Sequence, residues 1–189
     1  MTVNIADIEQ AAERISGKIH CTPVMQSETL DELIGVRLFF KCEHLQKAGA
    51  FKSRGAVNAV FSLDPAEVRK GVATHSSGNH GSALARAAKL ADVPAWIVVP
   101  ENAKESKKRT IRGYGGEIIE CEATLEARQA TLDEVVNRTG AVFVPPYDDD
   151  RIIAGQGTAA LELTEQVHGL DAMVTPVGGG GLLAGTAIV

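Results

Sequence analysis

Residues 71–100 read GVATHSSGNHGSALARAAKLADVPAWIVVP, and this stretch decides the fold. A short β-branched run, GVATHSS, is followed by helix-like spacing over residues 79–90 and then by the apolar run AWIVVP. Two strands joined by a helix predict a right-handed βαβ crossover, in which both strands run parallel.

The same alternation extends along most of the chain. Further strand-like runs occupy 37–42, 117–121, 141–146 and 172–177, and helix-like stretches occupy 52–63, 104–112, 124–138 and 155–168, after an amphipathic helix that starts behind Asn4. The pattern predicts an α/β fold in which twisted parallel sheets carry helices on both faces. Ligands of such folds bind in the turns at the carboxyl ends of strands, which is where chemistry is sought first.

Composition excludes several classes of protein. The net charge of −5 offers no basic field for nucleic acid, and the basic run at 104–112 is interpreted as a solvated helix face. No apolar run approaches the ~20 residues that a membrane helix needs. Three widely spaced cysteines and the absence of a signal-like N-terminus favour reduced core thiols and a cytoplasmic location.

Metal and hydrolase sites are not expected. The five histidines lack HExxH spacing, and His75 with His80 would need two more ligands. The acidic run Asp148, Asp149 and Asp150 is interpreted as a solvated loop before the helix at Gly155. Ser77 and His80 share one turn and lack a third group to orient them, so they do not suggest a nucleophile and its base.

The turn at residues 76–81, SSGNHG, joins a predicted strand to a predicted helix. Its small residues allow backbone N–H groups to converge at a positive helix end, which suits a carboxylate or a phosphate. The alternative is an ordinary tight turn in which Asn79 caps the helix.

Four consecutive glycines, Gly178, Gly179, Gly180 and Gly181, form a second turn of the same kind. Each costs roughly 0.5–1 kcal/mol inside a regular element, so a backbone cradle for phosphate explains them better than packing or mere flexibility. Neither familiar nucleotide motif fits, because too few residues follow for a dinucleotide site and Thr186 replaces the P-loop lysine.

The third motif, QKAGAFKSRGA at 46–56, places Lys52 at the start of a predicted helix. Helix starts usually prefer acidic residues. Burial and the positive helix end would both lower the pKa of this lysine, which favours the neutral amine that forms a Schiff base with a carbonyl cofactor. The alternative is a surface lysine.

Taken in order, AGAFKSRGA, SSGNHG and PVGGGGLLAG resemble the fold-type II pyridoxal-phosphate enzymes, most closely the threonine and serine dehydratases and serine racemase. The resemblance covers essentially the whole chain as the N-terminal part of that family, which implies a chain truncated at its C-terminus. It implies pyridoxal 5'-phosphate as cofactor, an amino-acid substrate and a homodimer or tetramer. It also implies a large domain from 1–74 and 148–189 and a small mobile domain from 75–147.

The resemblance assigns a role to each site residue. Lys52 would carry the cofactor as a Schiff base, Phe51 would pack near its ring, and Asn79 would bind its ring hydroxyl. The four glycines would hold its phosphate. The substrate carboxylate would bind the turn made by Ser76, Ser77, Gly78, Asn79 and His80, and Ser77 would protonate the opposite face of Cα. Ala50 departs from the family, in which many members have serine.

The implied activity is β-elimination from small hydroxy amino acids, which would turn L-serine or L-threonine into a 2-oxo acid and ammonia. Two alternatives stay open at this point. One is racemisation of serine or a related amino acid, which needs only a second acid such as Ser77. The other is a non-catalytic fragment that binds the cofactor.

Overall fold

The computed structural model describes residues 3–189. Its helices are α1 (Ile5–Ile15), α2 (Glu28–Ile34), α3 (Lys52–Phe61), α4 (Pro65–Val68), α5 (Asn79–Leu90), α6 (Glu105–Gly113), α7 (Leu125–Thr139), α8 (Asp150–Gln166) and α9 (Gly181–Ile188). Its strands are β1 (Val24–Met25), β2 (Phe40–Lys41), β3 (Val72–His75), β4 (Ala95–Pro100), β5 (Glu117–Cys121) and β6 (Val142–Phe143).

Four parallel strands form the central sheet, in the order β5-β4-β3-β6. The chain moves outward from β3 to β5 and then returns through α7 to place β6 on the other side of β3. The strand order therefore reverses between β3 and β6. A doubly wound sheet opens a crevice at such a reversal, outside the carboxyl ends of the two strands.

Both faces of this sheet are covered by helices, as the sequence predicts. Ile97 and Val99 of β4 belong to the core that includes α3 and α5, whereas Val98 packs with Leu132 and Val135 of α7. This alternation follows from the two-residue period of a strand, which sends successive side chains to opposite faces.

Helix α8 links α3 to α9 through contacts between glycines. A Cβ on Gly155 would lie 2.6 Å from Cα of Gly55, and one on Gly185 would lie 2.6 Å from the backbone N of Gly157. The three helix backbones therefore approach each other more closely than any larger residue would permit.

The structure corrects three predicted strands. The run 141–146 forms a strand only at Val142–Phe143. The run 172–177 forms no strand and leaves Val174 96% exposed, because no described residue pairs with it. The run 37–42 pairs only at Phe40–Lys41, and it does so antiparallel to Val24–Met25, outside the parallel sheet.

The acidic run is also not the solvated loop that the sequence suggested. The Asp149 side chain accepts hydrogen bonds from the backbone N of Arg151 at 2.9 Å and of Ile152 at 3.3 Å. It therefore caps α8, which begins at Asp150 rather than Gly155. Of the three cysteines only Cys42 is a core thiol, since Cys21 is exposed and Cys121 partly buried.

The division into a large and a small domain stays a prediction. Its first boundary falls inside β3, and its second lies between β6 and α8. Met1 and Thr2, which the predicted large domain includes, lie outside the described residues. None of the helices within residues 3–189 has the length and apolarity that a membrane crossing needs.

Candidate active site

The crevice beside β3 and β6 brings together parts of all three sequence motifs. The turn SSGNHG leaves the carboxyl end of β3, and residues 144–147, VPPY, leave the carboxyl end of β6. We call residues 144–147 the linker. Each of the three motifs is contacted by a different residue of the linker. The linker therefore organises the geometry of the site.

Lys52 is the first residue of α3, as the sequence predicts. Its Nζ donates a hydrogen bond to the carbonyl oxygen of Pro146 at 2.5 Å and lies 5.3 Å from the centroid of the Phe51 ring. The side chain is half-buried, and burial lowers the pKa of its amine. The amine is therefore easier to obtain in its neutral, nucleophilic form than that of a surface lysine.

The turn after β3 begins α5 with Gly78 in the N-cap position and Asn79 as the first helical residue. The alternative in which Asn79 caps the helix is therefore wrong. Asn79 is exposed and Ser77 is partly buried. Gly81 makes the turn tight, because a Cβ there would lie 2.1 Å from the carbonyl oxygen of Ser76.

His80 fixes this turn to the linker. Its ring is 2% exposed, and its Nε2 donates to the carbonyl oxygen of Val144 at 3.0 Å. Burial and, to a smaller extent, the positive charge of Lys52 lower the pKa of His80 to about 4. His80 is therefore neutral at physiological pH. Because His80 and Lys52 both donate to carbonyls of the linker, the two side chains belong to one site.

The glycine loop (residues 178–181) leads into α9. Gly178 and Gly179 are exposed, Gly180 has a φ of 85°, and Gly181 begins the helix. The Tyr147 ring of the linker packs directly on Gly179, where an added Cβ would lie 2.1 Å from the ring. The first N–H groups of α9 have no partner within the helix, so they are available to an anion.

These residues fit a phosphate-bearing carbonyl cofactor. A half-buried amine of lowered pKa and a loop of free backbone N–H groups contact the same linker at Pro146 and Tyr147. A Cβ on Gly178 would meet no atom within 4 Å, so that part of the loop is open to a bound group.

Other predicted residues are placed nearby without direct contact. Among residues 3–189, no hydrogen bond joins Ser77 or Asn79 to Lys52 or to the glycine loop, so their roles stay predictions. The linker was not predicted from the sequence. Its only local signal was the pair Pro145 and Pro146, which ends the predicted strand 141–146 at the end of the sheet where ligands bind.

The model of the family described as pyridoxal-phosphate dependent enzymes matches residues 15–189. The chain belongs to this family of pyridoxal-phosphate-dependent enzymes. The resemblance found in the sequence and the expected cofactor class are thereby confirmed.

About half of the residues of the chain are identical in relatives of this family. Serine racemase of Dictyostelium discoideum is 54% identical over 99% of the chain, and β-hydroxyaspartate dehydratase of Paracoccus denitrificans (strain Pd 1222) is 55% identical over 96%. The chain spans 58% of the length of each.

Solved structures agree with the fold. A crystal structure of the Dictyostelium discoideum serine racemase is 53% identical and matches with a TM-score of 0.97, over all of this chain and 61% of that one. The processed form of threonine deaminase isoform 2 from Solanum lycopersicum is 33% identical and matches with a TM-score of 0.90, over 97% of this chain and 53% of that one. The α/β fold of fold-type II enzymes is therefore confirmed.

Proposed function

We propose that the protein containing this chain interconverts the enantiomers of serine with pyridoxal phosphate, and eliminates water from hydroxy amino acids as a second reaction. The sequence alone put elimination first. Similarity to serine racemases over nearly the whole chain now favours racemisation. The observation that carries the proposal is the half-buried Lys52 amine of lowered pKa, in the crevice bordered by the turn that holds Ser77.

Each residue has a part in this reaction. Bound pyridoxal phosphate would supply an aldehyde for the substrate amine and a ring that accepts the electron pair of the broken Cα–H bond. The neutral Lys52 amine removes the Cα proton. The Ser77 hydroxyl delivers a proton to the opposite face, which inverts the configuration. The backbone N–H groups at the start of α5 bind the substrate carboxylate.

Elimination is the second candidate because a dehydratase of β-hydroxyaspartate is 55% identical to the chain. It uses the same proton removal by Lys52. Loss of the β-hydroxyl then yields a 2-oxo acid and ammonia after hydrolysis, and no second proton carrier is needed.

Chiral analysis of the products separates the candidates. The protein, loaded with pyridoxal phosphate, is incubated with L-serine, L-threonine or 3-hydroxyaspartate, and D-serine and 2-oxo acids are both quantified. We expect Ser77→Ala to lower D-serine formation by about 10²-fold while 2-oxo acid formation persists. Ser106→Ala removes an exposed hydroxyl of α6 and serves as the matched control.

Three outcomes would change the proposal. Oxo acid without D-serine would make the protein a dehydratase. Equal loss of both products in Ser77→Ala would remove the second-acid role. A folded protein that attaches the cofactor at Lys52, shown by borohydride reduction and mass mapping, yet turns over no substrate would be a non-catalytic binder. A homo-oligomeric state is proposed from the resemblance and is tested by light scattering.

A further inference from the structure

Four charged side chains meet beneath the start of α3, and we call them the ion cluster: Lys41, Glu43, Arg54 and Glu162. Arg54 lies two residues after Lys52 in the same helix, and none of its surface is exposed. The two positive and two negative charges balance. No local sequence motif assigns a role to any of the four.

The guanidinium of Arg54 is held on both sides. Its Nε and Nη2 donate to the two carboxylate oxygens of Glu43 at 2.8 and 2.7 Å. Its Nη1 and Nη2 donate to Glu162 of α8 at 3.0 and 3.1 Å. A planar guanidinium that is hydrogen-bonded to two carboxylates is held in one orientation. The ammonium of a flexible lysine side chain could not reproduce this geometry.

Lys41 and Thr22 surround the carboxylates. Lys41 donates to Glu162 and to the carbonyl of Thr22, while the Thr22 hydroxyl donates to Glu43 at 2.6 Å. Burial alone would raise the pKa of Glu162, but hydrogen bonds from Arg54 and Lys41 lower it to about 2. Glu162 therefore stays ionised, and the cluster stays intact, throughout the physiological pH range.

The segment before Lys52 is fixed as well. The buried Gln46 side chain donates to the carbonyl of His20 at 2.7 Å and accepts from its backbone N at 2.8 Å, and the Ser53 hydroxyl donates to the carbonyl of Lys47. The start of α3 is thus fixed from the loop on one side and from the cluster on the other.

Stability alone is a weak reason for this arrangement. Replacing buried ion pairs by apolar residues of similar volume is often neutral or stabilising, whereas a satisfied network can fix one conformation. The position that this cluster fixes is the first turn of α3, where Lys52 begins the helix.

We propose that the ion cluster positions the Lys52 amine against the linker, with Arg54 and Glu43 as positioning residues rather than catalytic ones. The inference rests on the proposed function only in taking Lys52 as the reactive amine. Without the hydrogen bonds from Arg54 to Glu43 and Glu162, the start of α3 would move and Lys52 would become more exposed to water.

The test compares Arg54→Lys with Lys108→Met. Lys108 is a second buried amine, 5% exposed, that pairs with Glu120 at 2.7 Å and anchors α6 to β5, away from Lys52. Trace acetylation of the cofactor-free protein between about pH 6 and 11, which brackets the ordinary lysine pKa, is read by mass spectrometry at Lys52 and gives the labelling midpoint of this amine. Urea unfolding gives the stability of each variant.

We expect Arg54→Lys to raise the labelling midpoint of Lys52 towards that of a free lysine, because burial is the cause that lowers it. Neither substitution changes Phe51, the Pro146 carbonyl or His80, the groups beside the amine, so a shifted midpoint reports a new position of Lys52 relative to them. In the loaded enzyme kcat falls roughly tenfold while KM stays within about twofold, as expected for a misplaced reacting group. Lys108→Met lowers the urea midpoint and leaves the labelling of Lys52 unchanged.

An unchanged labelling midpoint in folded Arg54→Lys would overturn the inference. If that variant does not fold, Glu43→Gln replaces it, since an amide accepts only one of the two parallel bonds from Arg54. Unchanged Lys52 labelling in that variant has the same meaning. A shifted midpoint in a protein that turns over no substrate would support the positioning role and reject the proposed function.

Discussion

At the scale of single residues, Lys52 gains its properties from where its helix begins. Burial lowers the pKa of the Lys52 amine, and a cation at a helix start also faces a positive dipole end. The motif AGAFKSRGA was sufficient to single out this lysine. The acceptor that holds it, the Pro146 carbonyl, lies 94 residues later and could not be read from local sequence.

His80 predicts a distinct loss of stability in acid. The pKa of His80 is about 4 in the folded protein and about 6.5 in the unfolded chain, because burial disfavours the imidazolium. Between those values the unfolded chain binds a proton that the folded protein does not. The contribution of His80 to the free energy of unfolding is therefore fully present above about pH 6.5. As the pH falls, the free energy of unfolding decreases, by ~2–3 kcal/mol at about pH 4.5.

Urea unfolding at about pH 7.0 and pH 4.5, on either side of the titration, measures this difference. His80→Gln is the control, since its amide keeps a donor for the Val144 carbonyl and does not titrate. We expect the wild-type protein to lose about 2–3 kcal/mol more than the variant on acidification. Equal losses would show that another group is responsible.

Gly81 predicts a steric requirement in the turn SSGNHG. Gly81→Ala places a Cβ 2.1 Å from the Ser76 carbonyl and 3.0 Å from Ile97, so the turn must move. We expect a loss of ~1–3 kcal/mol in the free energy of unfolding. Gly113→Ala, on α6 with no atom within 4 Å of the new Cβ, should be neutral or stabilising by up to ~1 kcal/mol. Thermal unfolding followed by circular dichroism distinguishes the two; similar effects would contradict the steric argument.

At the scale of elements, the sequence predicted the strands that could find partners. β4 and β5 match their predicted ranges, 95–100 and 117–121, because alternation and burial act on each strand locally. The run 172–177 is also apolar and β-branched in part, yet it forms no strand among the described residues. Pairing depends on a neighbouring strand, which local periodicity does not encode.

Helix α9 predicts a link between packing and cofactor affinity. Gly185→Ala would place a Cβ 2.6 Å from both the backbone N of Gly157 and the carbonyl oxygen of Ile153, which would push α9 away from α8. Because α9 begins at the glycine loop, we expect the Kd for pyridoxal phosphate to rise about tenfold, equivalent to about 1.4 kcal/mol. Leu183→Ala, on the same helix and 44% exposed, is the control. Absorbance titration measures the Kd of both variants. An unchanged Kd in Gly185→Ala would show that cofactor affinity does not depend on the packing of α9.

At the scale of the whole molecule, the sequence predicted which turns border the crevice but not the tertiary contacts that hold them together. Strand alternation correctly placed the turn SSGNHG at the carboxyl end of a strand, β3, whereas the strand predicted before VGGGGLLAG does not form. The family resemblance added a role for each turn. The strand order that reverses beside β3, and the linker that contacts all three motifs, depend on tertiary pairing. The ion cluster joins residues as far apart as Lys41 and Glu162 and left no local signature.

Exposed apolar side chains predict the surface behaviour of this 189-residue chain. Val174 is 96% and Val177 is 64% exposed in the unpaired run before the glycine loop. We expect Val174→Lys to lower the binding of a hydrophobic fluorescent dye without changing the thermal midpoint, since the side chain makes few contacts to lose. Asn137→Lys adds the same charge to an exposed position of α7 and should leave the dye signal unchanged. A dye signal equal in both variants would place the apolar patch elsewhere.

The crevice has two chemically opposite walls, and the two prolines of the linker form one of them. Pro145 and Pro146 have no N–H group, so the backbone of these two residues can only accept hydrogen bonds, while the free backbone N–H groups at the starts of α5 and α9 donate them. A zwitterion that enters would be aligned before it reacts, with its ammonium towards the carbonyls and its carboxylate towards the helix starts. The two enantiomers of an amino acid share that polarity, so the crevice would bind both of them. The stereochemical outcome would then depend on the groups that carry the proton.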